Sequence, residues 1–332
     1  MTTSSASWAC PALANADLGP RTTLKVGGRI EWLLEPRDPD ELVAAWKAAR
    51  SRGYTPRILG GGANLIVADG THSGVVIATG RVARIFRPVP SGEMYAASPD
   101  EVGEAATDPS GDPFPAELPK PSSDPRLVAW AGAGLPGLVR AARDLGLSGL
   151  EGLVGVPGHL GGGIAMNAGG RWGDLWDVIE SVRLLTPEGD LVERAREDHE
   201  PSYRNGNLGE DIAIGAVLRL EPSSRLVIQE TMRQYLSEKS KAQPVTERSC
   251  GCIFKNPDPE LSDGRSAGQL IEESGAKGFR EGAAEVSHKH GNFIVNQGGA
   301  SATDVLKLIA RVRTHVRDTL HIELEQEARV WE

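Results

Sequence analysis

Apolar and polar positions alternate in three stretches of the chain, separated by segments that show no such pattern. Residues 29–35 (RIEWLLE) and 55–59 (TPRIL) have strand character, and between them Leu42, Ala45 and Trp46 recur at helical spacing over residues 39–52. Asp38 or Asp40 can cap that helix, with Glu41 in its first turn. This is an α/β opening. The second stretch predicts a strand at 126–131, a helix at 135–145, and strands at 179–186, 190–193 and 211–220, two of them joined by the turn Pro187-Glu188-Gly189. The third predicts a helix at 266–274, a strand at 292–296, a helix at 303–320 and a last strand ending at Trp331. Ser301 or Thr303 caps the long helix, and Val305, Leu308, Ile309, Val312 and Val316 form its buried face.

Residues 1–20 read as a frayed leader, and residues 88–126 are rich in Pro, Ser, Asp and Glu and poor in large aliphatics, as in a surface insertion. Residues 231–248 form a basic, polar connection. The domain boundary is expected near residue 222, so that 21–222 is one module and 223–332 a second.

Composition narrows the functional classes. The chain has 332 residues with 39% apolar content, enough for two or three cores, and its 36 basic and 45 acidic residues leave a net charge of −9. Such a field repels polyanions, so nucleic acid is excluded as a partner and an anionic ligand has to be gripped by local cations. No apolar run approaches the ~18 residues that span a bilayer, and the N-terminus lacks a basic region followed by an apolar one. The three cysteines, Cys10, Cys250 and Cys252, suit a reducing compartment, and the expected location is the cytoplasm.

Glycine is in excess, 40 of 332 residues. Residues 132–137 (GAGLPG) match a dinucleotide-binding fingerprint, with Glu151 as a candidate ribose acid, but Pro136 lies inside the turn and residues 152–170 occupy the place of the next parallel strand. A plain strand-to-helix turn accounts for the pattern better. Two other clusters carry more: residues 60–65 (GGGANL) follow a strand and can expose a nest of N–H groups to a pyrophosphate. Residues 149–169 interleave glycine with aliphatics, as backbone packed on a flat ligand or a tight turn would require.

These segments, together with TTLKVGG at 22–28, SYR at 202–204, GCIFKNP at 251–257, AGQLIE at 267–272, VSHKHGNFIVN at 286–296 and EAR at 327–329, resemble the UDP-N-acetylenolpyruvoylglucosamine reductase family over nearly the whole chain. The absence of a substantial insertion between 215 and 250 is similar to the shorter family type, which lacks an extra tyrosine-bearing loop. The resemblance implies an α+β fold: a two-subdomain FAD-binding module of the vanillyl-alcohol oxidase/p-cresol methylhydroxylase type plus a smaller C-terminal α+β substrate domain. It implies non-covalent FAD, with NADPH as co-substrate and hydride transfer to a nucleotide-sugar enolpyruvate in peptidoglycan precursor synthesis. The alternative is another FAD-dependent oxidase or dehydrogenase on the same module.

The family's residues then map onto this sequence. Gly60, Gly61, Gly62, Ala63, Asn64 and Leu65 would hold the pyrophosphate, and Val156, Pro157, Gly158, Gly161, Gly162 and Asn167 would line the cofactor. Ile214 and Arg329 would add contacts. Arg204 would stabilise charge on the substrate carboxylate, and Glu327 would act beside it. Cys252 takes the place of the usual serine proton donor and is preferred over Cys250, which is expected to face the other side of the segment. Tyr203, Lys255, Asn256, Lys277 and His290 would bind substrate, with Lys239 and Lys241 as further cations. Glu323 and Glu325 compete with Glu327, and the EAR motif selects Glu327. His159 stands where the family has a small hydroxyl residue, leaving a flavin phosphate contact or a solvated turn open. No metal is expected, because C-x-C and H-x-H separated by 36 residues is not a zinc spacing. The expected partner is a small-molecule nucleotide sugar, with no membrane insertion, and the expected state is a monomer.

Overall fold

The computed structural model describes residues 8–88, 105–106 and 124–332, so most of the 88–126 insertion lies outside the described residues. The chain forms two compact units: the first comprises the N-terminal residues to Leu13 with Trp32–Gly61 and Gly74–Leu236, the second Ala14–Glu31, Gly62–Ser73 and Ser237–Glu332. A single boundary near 222 does not describe this division. Leu65–Val67 pairs in parallel with Arg329–Trp331, and Leu24, Val26 and Ile66 belong to the C-terminal core, so two N-terminal segments fold with the end of the chain. Nor are residues 1–20 frayed throughout. Ala12–Asp17 is an edge strand in a four-stranded sheet, and the Arg29 guanidinium donates to the Asn15 carbonyl.

The first unit centres on a six-stranded sheet in the order Leu191–Ala195, Ile179–Leu185, Ile212–Arg219, Arg126–Trp130, Arg84–Phe86, Ala105–Ala106. Every pairing is antiparallel, which removes the parallel βαβ unit that a dinucleotide fingerprint at 132–137 needs. Strand alternation builds a core on each face: Leu127 and Ala129 pack with the Leu135–Asp144 helix, while Val128 and Trp130 pack with the Pro39–Ser51 helix. The second helix starts at Asp38, whose carboxylate accepts from the Glu41 N–H at 2.8 Å, with Pro39 in the first turn. Residues 225–242 are helical (Arg225–Ala242), an element that sequence periodicity does not reveal because Ile228 is its one buried residue.

In the second unit the sheet order is Ser249–Cys252, Phe293–Asn296, Ala284–Val286, Arg280–Glu281, antiparallel throughout. The Ala302–Leu320 and Ala267–Glu273 helices share its core through Val305, Leu308, Ile309, Leu270 and Ile271. Ser301 caps the long helix, and Asp69 adds a second cap from far along the chain, accepting from the Ala302 N–H (3.0 Å), the Thr303 N–H (2.8 Å) and the Thr303 hydroxyl (2.7 Å). Burial opposes ionisation of Asp69, but the Thr303 hydroxyl and the two N–H groups outweigh it and hold the carboxyl below its usual range.

A depressed native carboxyl stabilises the fold above its unfolded pKa and loses that contribution as pH falls through the native value. Asp69→Ala is expected to cost about 1 kcal/mol in urea unfolding at pH 7, and the gap from wild type closes below the ordinary carboxylate range, about pH 4. An unchanged midpoint at pH 7 counts against the second cap.

Candidate functional site

In the first unit the two glycine clusters touch. The Arg57–Leu59 strand ends at Gly60 and Gly61, and a Cβ at Gly61 would lie 2.7 Å from the Gly158 Cα and 3.1 Å from His159 Cδ2. No larger residue fits there without moving backbone. Gly158 and Gly155 have φ of +105° and +74°, values that favour glycine. The 158–161 segment is tied to the 131–135 turn: Leu135 N donates to the Gly158 carbonyl (2.9 Å), Leu160 N to Ala133 (2.8 Å) and Gly161 N to Ala131 (2.8 Å). The sequence GAGLPG is therefore a strand-to-helix turn that braces this segment.

The three consecutive glycines that follow have different surroundings. A Cβ at Gly161 would meet Ala131 Cβ at 2.9 Å, and one at Gly163 would meet Leu175 Cδ2 at 3.0 Å, whereas one at Gly162 would meet nothing within 4 Å. The N–H groups of Gly61 and Gly162 donate to no acceptor among the described residues. Unfilled backbone donors beside glycine-bared surface suit a ligand with a phosphate or carbonyl oxygen.

Asn167 is buried with φ of +43°, and its amide is committed to the chain: Nδ2 donates to the Ser202 carbonyl at 3.2 Å and Oδ1 accepts from Trp176 N at 3.4 Å. It positions the Ser202–Asn205 turn, in which each of those two residues donates its N–H to the other's carbonyl. At that turn Arg204 takes φ of +56°, a left-handed conformation that a non-glycine residue adopts at a cost. Its guanidinium lies 5.0 Å from the Tyr203 ring centroid, and Tyr203 is 52% exposed. Arg204 also faces Asp174: burial and Asp177 raise the Asp174 pKa, and the guanidinium opposes them. Ile214 is buried at 1% exposure, its carbonyl accepts from Ala131 N, and the register slips beside it, making it the extra residue of a bulge. Val156 and Pro157 stand in the same loop as Gly158.

In the second unit Gly62 adopts φ of +60°, and its carbonyl accepts from the Thr23 N–H at 3.1 Å. Asn64 and Leu65 meet the C-terminal strand: Asn64 Nδ2 donates to the Glu327 carbonyl (3.3 Å), Arg329 N donates to the Asn64 carbonyl (3.1 Å), and Leu65 pairs with Arg329. Ala63 lies between. Asn64 Oδ1 is buried with no partner among the described residues. The Ile253 carbonyl accepts from both Glu327 N (2.8 Å) and Ala328 N (3.2 Å), which sets Glu327 alongside Cys252. Cys252 pairs with Phe293 across a bulge, while Cys250 is buried in the core with its thiol pushed up to about 12, chiefly by burial. Regular strand alternation would put residues 250 and 252 on one face; the bulge, with Gly251 between them at φ of +82°, breaks that alternation and leaves Cys250 buried and Cys252 partly exposed.

The candidate anion-binding residues are arranged around the same strand. Lys255 pairs with Glu325 at 2.6 Å and Lys277 with Glu272 at 2.6 Å. Asn256 Oδ1 accepts from Ala267 N at 3.1 Å. Burial foremost, then the Lys277 charge, lowers the His290 pKa against Glu272, and its Nδ1 accepts from Asn292 N at 3.1 Å. His290 is therefore a neutral donor through Nε2 and not a cation. Asn292 escaped the sequence reading: its buried amide bonds both backbone groups of Phe254 (2.9 and 2.7 Å) and fixes the strand bearing Cys252. Of the three glutamates, Glu323 is exposed, Glu325 is held by Lys255, and Glu327 has Oε2 fully buried.

Comparison with known proteins matches residues 121–194 to a model described as an FAD binding domain, and residues 243–331 to one described as UDP-N-acetylenolpyruvoylglucosamine reductase, C-terminal domain. The protein is thus an FAD-dependent oxidoreductase of α+β architecture. A UDP-N-acetylenolpyruvoylglucosamine reductase of Deinococcus radiodurans is 39% identical over 308 residues, 92% of each chain, and one of Heliobacterium modesticaldum 36% identical over 93% of this chain and 87% of its own. The crystal structure of the UDP-N-acetylenolpyruvylglucosamine reductase of Thermus caldophilus superposes with a TM-score of 0.71 at 33% identity, covering 97% of this chain and 98% of that one. With relatives this similar end to end, the chain belongs to the UDP-N-acetylenolpyruvoylglucosamine reductase family.

Gly61→Ala and Gly162→Ala separate packing from ligand binding. Gly61→Ala is expected to lower stability by about 1–3 kcal/mol. Gly162→Ala should leave the apoprotein as stable as wild type or up to about 1 kcal/mol more so, through helix propensity, yet weaken FAD. Thermal unfolding with and without FAD reads both; a Gly162→Ala protein that binds FAD normally contradicts the assignment of that open face.

Proposed function

We infer that the protein reduces UDP-N-acetylglucosamine enolpyruvate to UDP-N-acetylmuramate with NADPH, through FAD, in peptidoglycan precursor synthesis. The observation that carries this reading is the Ile253 carbonyl, which holds Glu327 beside the Cys252 strand within a unit of the family's own type. Gly60, Gly61, Gly158 and Gly162 offer FAD a surface free of side chains, and the open N–H groups of Gly61 and Gly162 fit its anionic diphosphate. Gly62, Ala63, Asn64, Leu65, Val156, Pro157, Gly161, Asn167, Ile214 and Arg329 complete the cofactor-binding set in this reading. Bound FAD supplies a two-electron carrier that accepts hydride from NADPH and gives it to the vinyl carbon of the substrate.

The remaining chemistry falls to side chains. When the vinyl carbon gains hydride, negative charge grows on the substrate carboxylate, and a fixed guanidinium lowers that barrier. Arg204, held in a strained turn, supplies it, with Tyr203 shaping the pocket. The Cys252 thiol then gives its proton to the adjacent carbon, and Glu327 polarises the carboxylate. Lys255, Asn256, Lys277 and His290 bind the sugar diphosphate; Glu325 and Glu272 hold the two lysines in place until the diphosphate competes for them. A freely diffusing nucleotide sugar fits a cytoplasmic monomer.

Anaerobic stopped-flow tests the reading. NADPH should bleach the flavin, and the enolpyruvyl nucleotide should restore its colour; flavin that stays reduced overturns the substrate. Cys252→Ala should bleach normally but turn over about 10²–10⁴-fold more slowly, and Cys252→Ser should remain active. Equal activity in Cys252→Ala transfers the proton to another group.

A further inference from the structure

His159 is not part of a solvated turn. Its ring lies over the first unit's glycine surface: a Cβ at Gly61 would come within 3.1 Å of its Cδ2, one at Gly80 within 3.4 Å of its Cε1, and one at Gly60 within 3.9 Å of its Cβ. Nδ1 is fully buried and has no partner among the described residues. Burial also holds the imidazole below its ordinary pKa, so the ring is neutral and carries one N–H and one lone pair. A buried polar nitrogen without a partner is costly, and proteins keep such groups where a ligand or water completes them. The open N–H of Gly162 lies three residues on, 4.0 Å from the place a Gly60 Cβ would take.

We propose that His159 is a cofactor contact, its Nδ1–H donating a hydrogen bond to an oxygen of the FAD diphosphate laid over Gly60 and Gly61. The proposal rests on the reading of those glycines as the FAD site. A neutral donor is well suited there: it completes the coordination of the diphosphate beside the backbone N–H groups, and its removal leaves that oxygen one donor short.

Apoprotein, stripped of flavin, is titrated with FAD and separately with ADP, which carries the diphosphate without the flavin, and binding is read by fluorescence quenching and by the rise in Tm. Wild type should bind both; if it binds neither, the FAD site itself is misassigned. His159→Leu should weaken FAD and ADP alike by about tenfold, while its unliganded Tm equals or exceeds that of wild type because the unpartnered nitrogen is gone. His159→Asn, whose amide N–H reaches the Nδ1 position, should bind within about threefold of wild type. His159→Ala replaces the leucine variant if the latter does not fold. Wild-type affinity in His159→Leu or His159→Ala overturns the contact, and so does a loss of FAD affinity with ADP unaffected, which removes it from the diphosphate.

Discussion

The first unit is organised by a contact between two backbones. Gly61 and Gly158 approach so closely that a Cβ at Gly61 would lie 2.7 Å from the Gly158 Cα, and this apposition joins the turn after the Arg57–Leu59 strand to the 155–163 segment. Everything around it serves to hold the second backbone in place. The 131–135 turn contributes hydrogen bonds from both directions, Gly161 lies against Ala131, and Gly163 lies against Leu175. What remains uncovered is Gly162 with its N–H and the flank of Gly60. A surface made of main chain is rigid and rich in donors, and it adds no net charge, which allows an acidic protein to accept an anionic cofactor.

In the second unit position is set by buried amides and by the end of the chain. Asn292 clamps Phe254, the Ile253 carbonyl takes the N–H groups of Glu327 and Ala328, and Asn64 reaches the Glu327 carbonyl. These bonds are made between main-chain groups and short side chains, so each leaves little freedom to the thiol of Cys252 and the carboxylate of Glu327. The bulge between Ser249 and Cys252 keeps Cys250 in the core and Cys252 out of it.

Local features were legible in the sequence. The Asp38 and Ser301 caps, the buried stripe from Val305 to Val316 and the glycine clusters all follow from short-range spacing, and the structure contains each of them; the separation of Cys250 from Cys252 does not, because it depends on a bulge. Long-range pairing was not legible. The Leu65–Val67 and Arg329–Trp331 strands are short, carry no partner code, and are separated by most of the chain, so the sequence pattern placed the domain boundary by composition near 222. Arg225–Ala242 was missed for the opposite reason: a helix that buries one residue has no apolar period to read. The cations of the candidate site were legible as residue types, but their glutamate partners and the neutral state of His290 depend on contacts across the fold.

The central claim is that main-chain N–H groups of the two glycine segments receive FAD. Amide hydrogen exchange of the apoprotein, repeated with FAD bound, tests it most directly. Gly61 and Gly162 are expected to exchange quickly without FAD and to become strongly protected with it, while amides already bonded in the sheet, such as that of Gly161, change little. Protection confined to other segments, with residues 60–62 and 158–163 unaltered, would contradict the account.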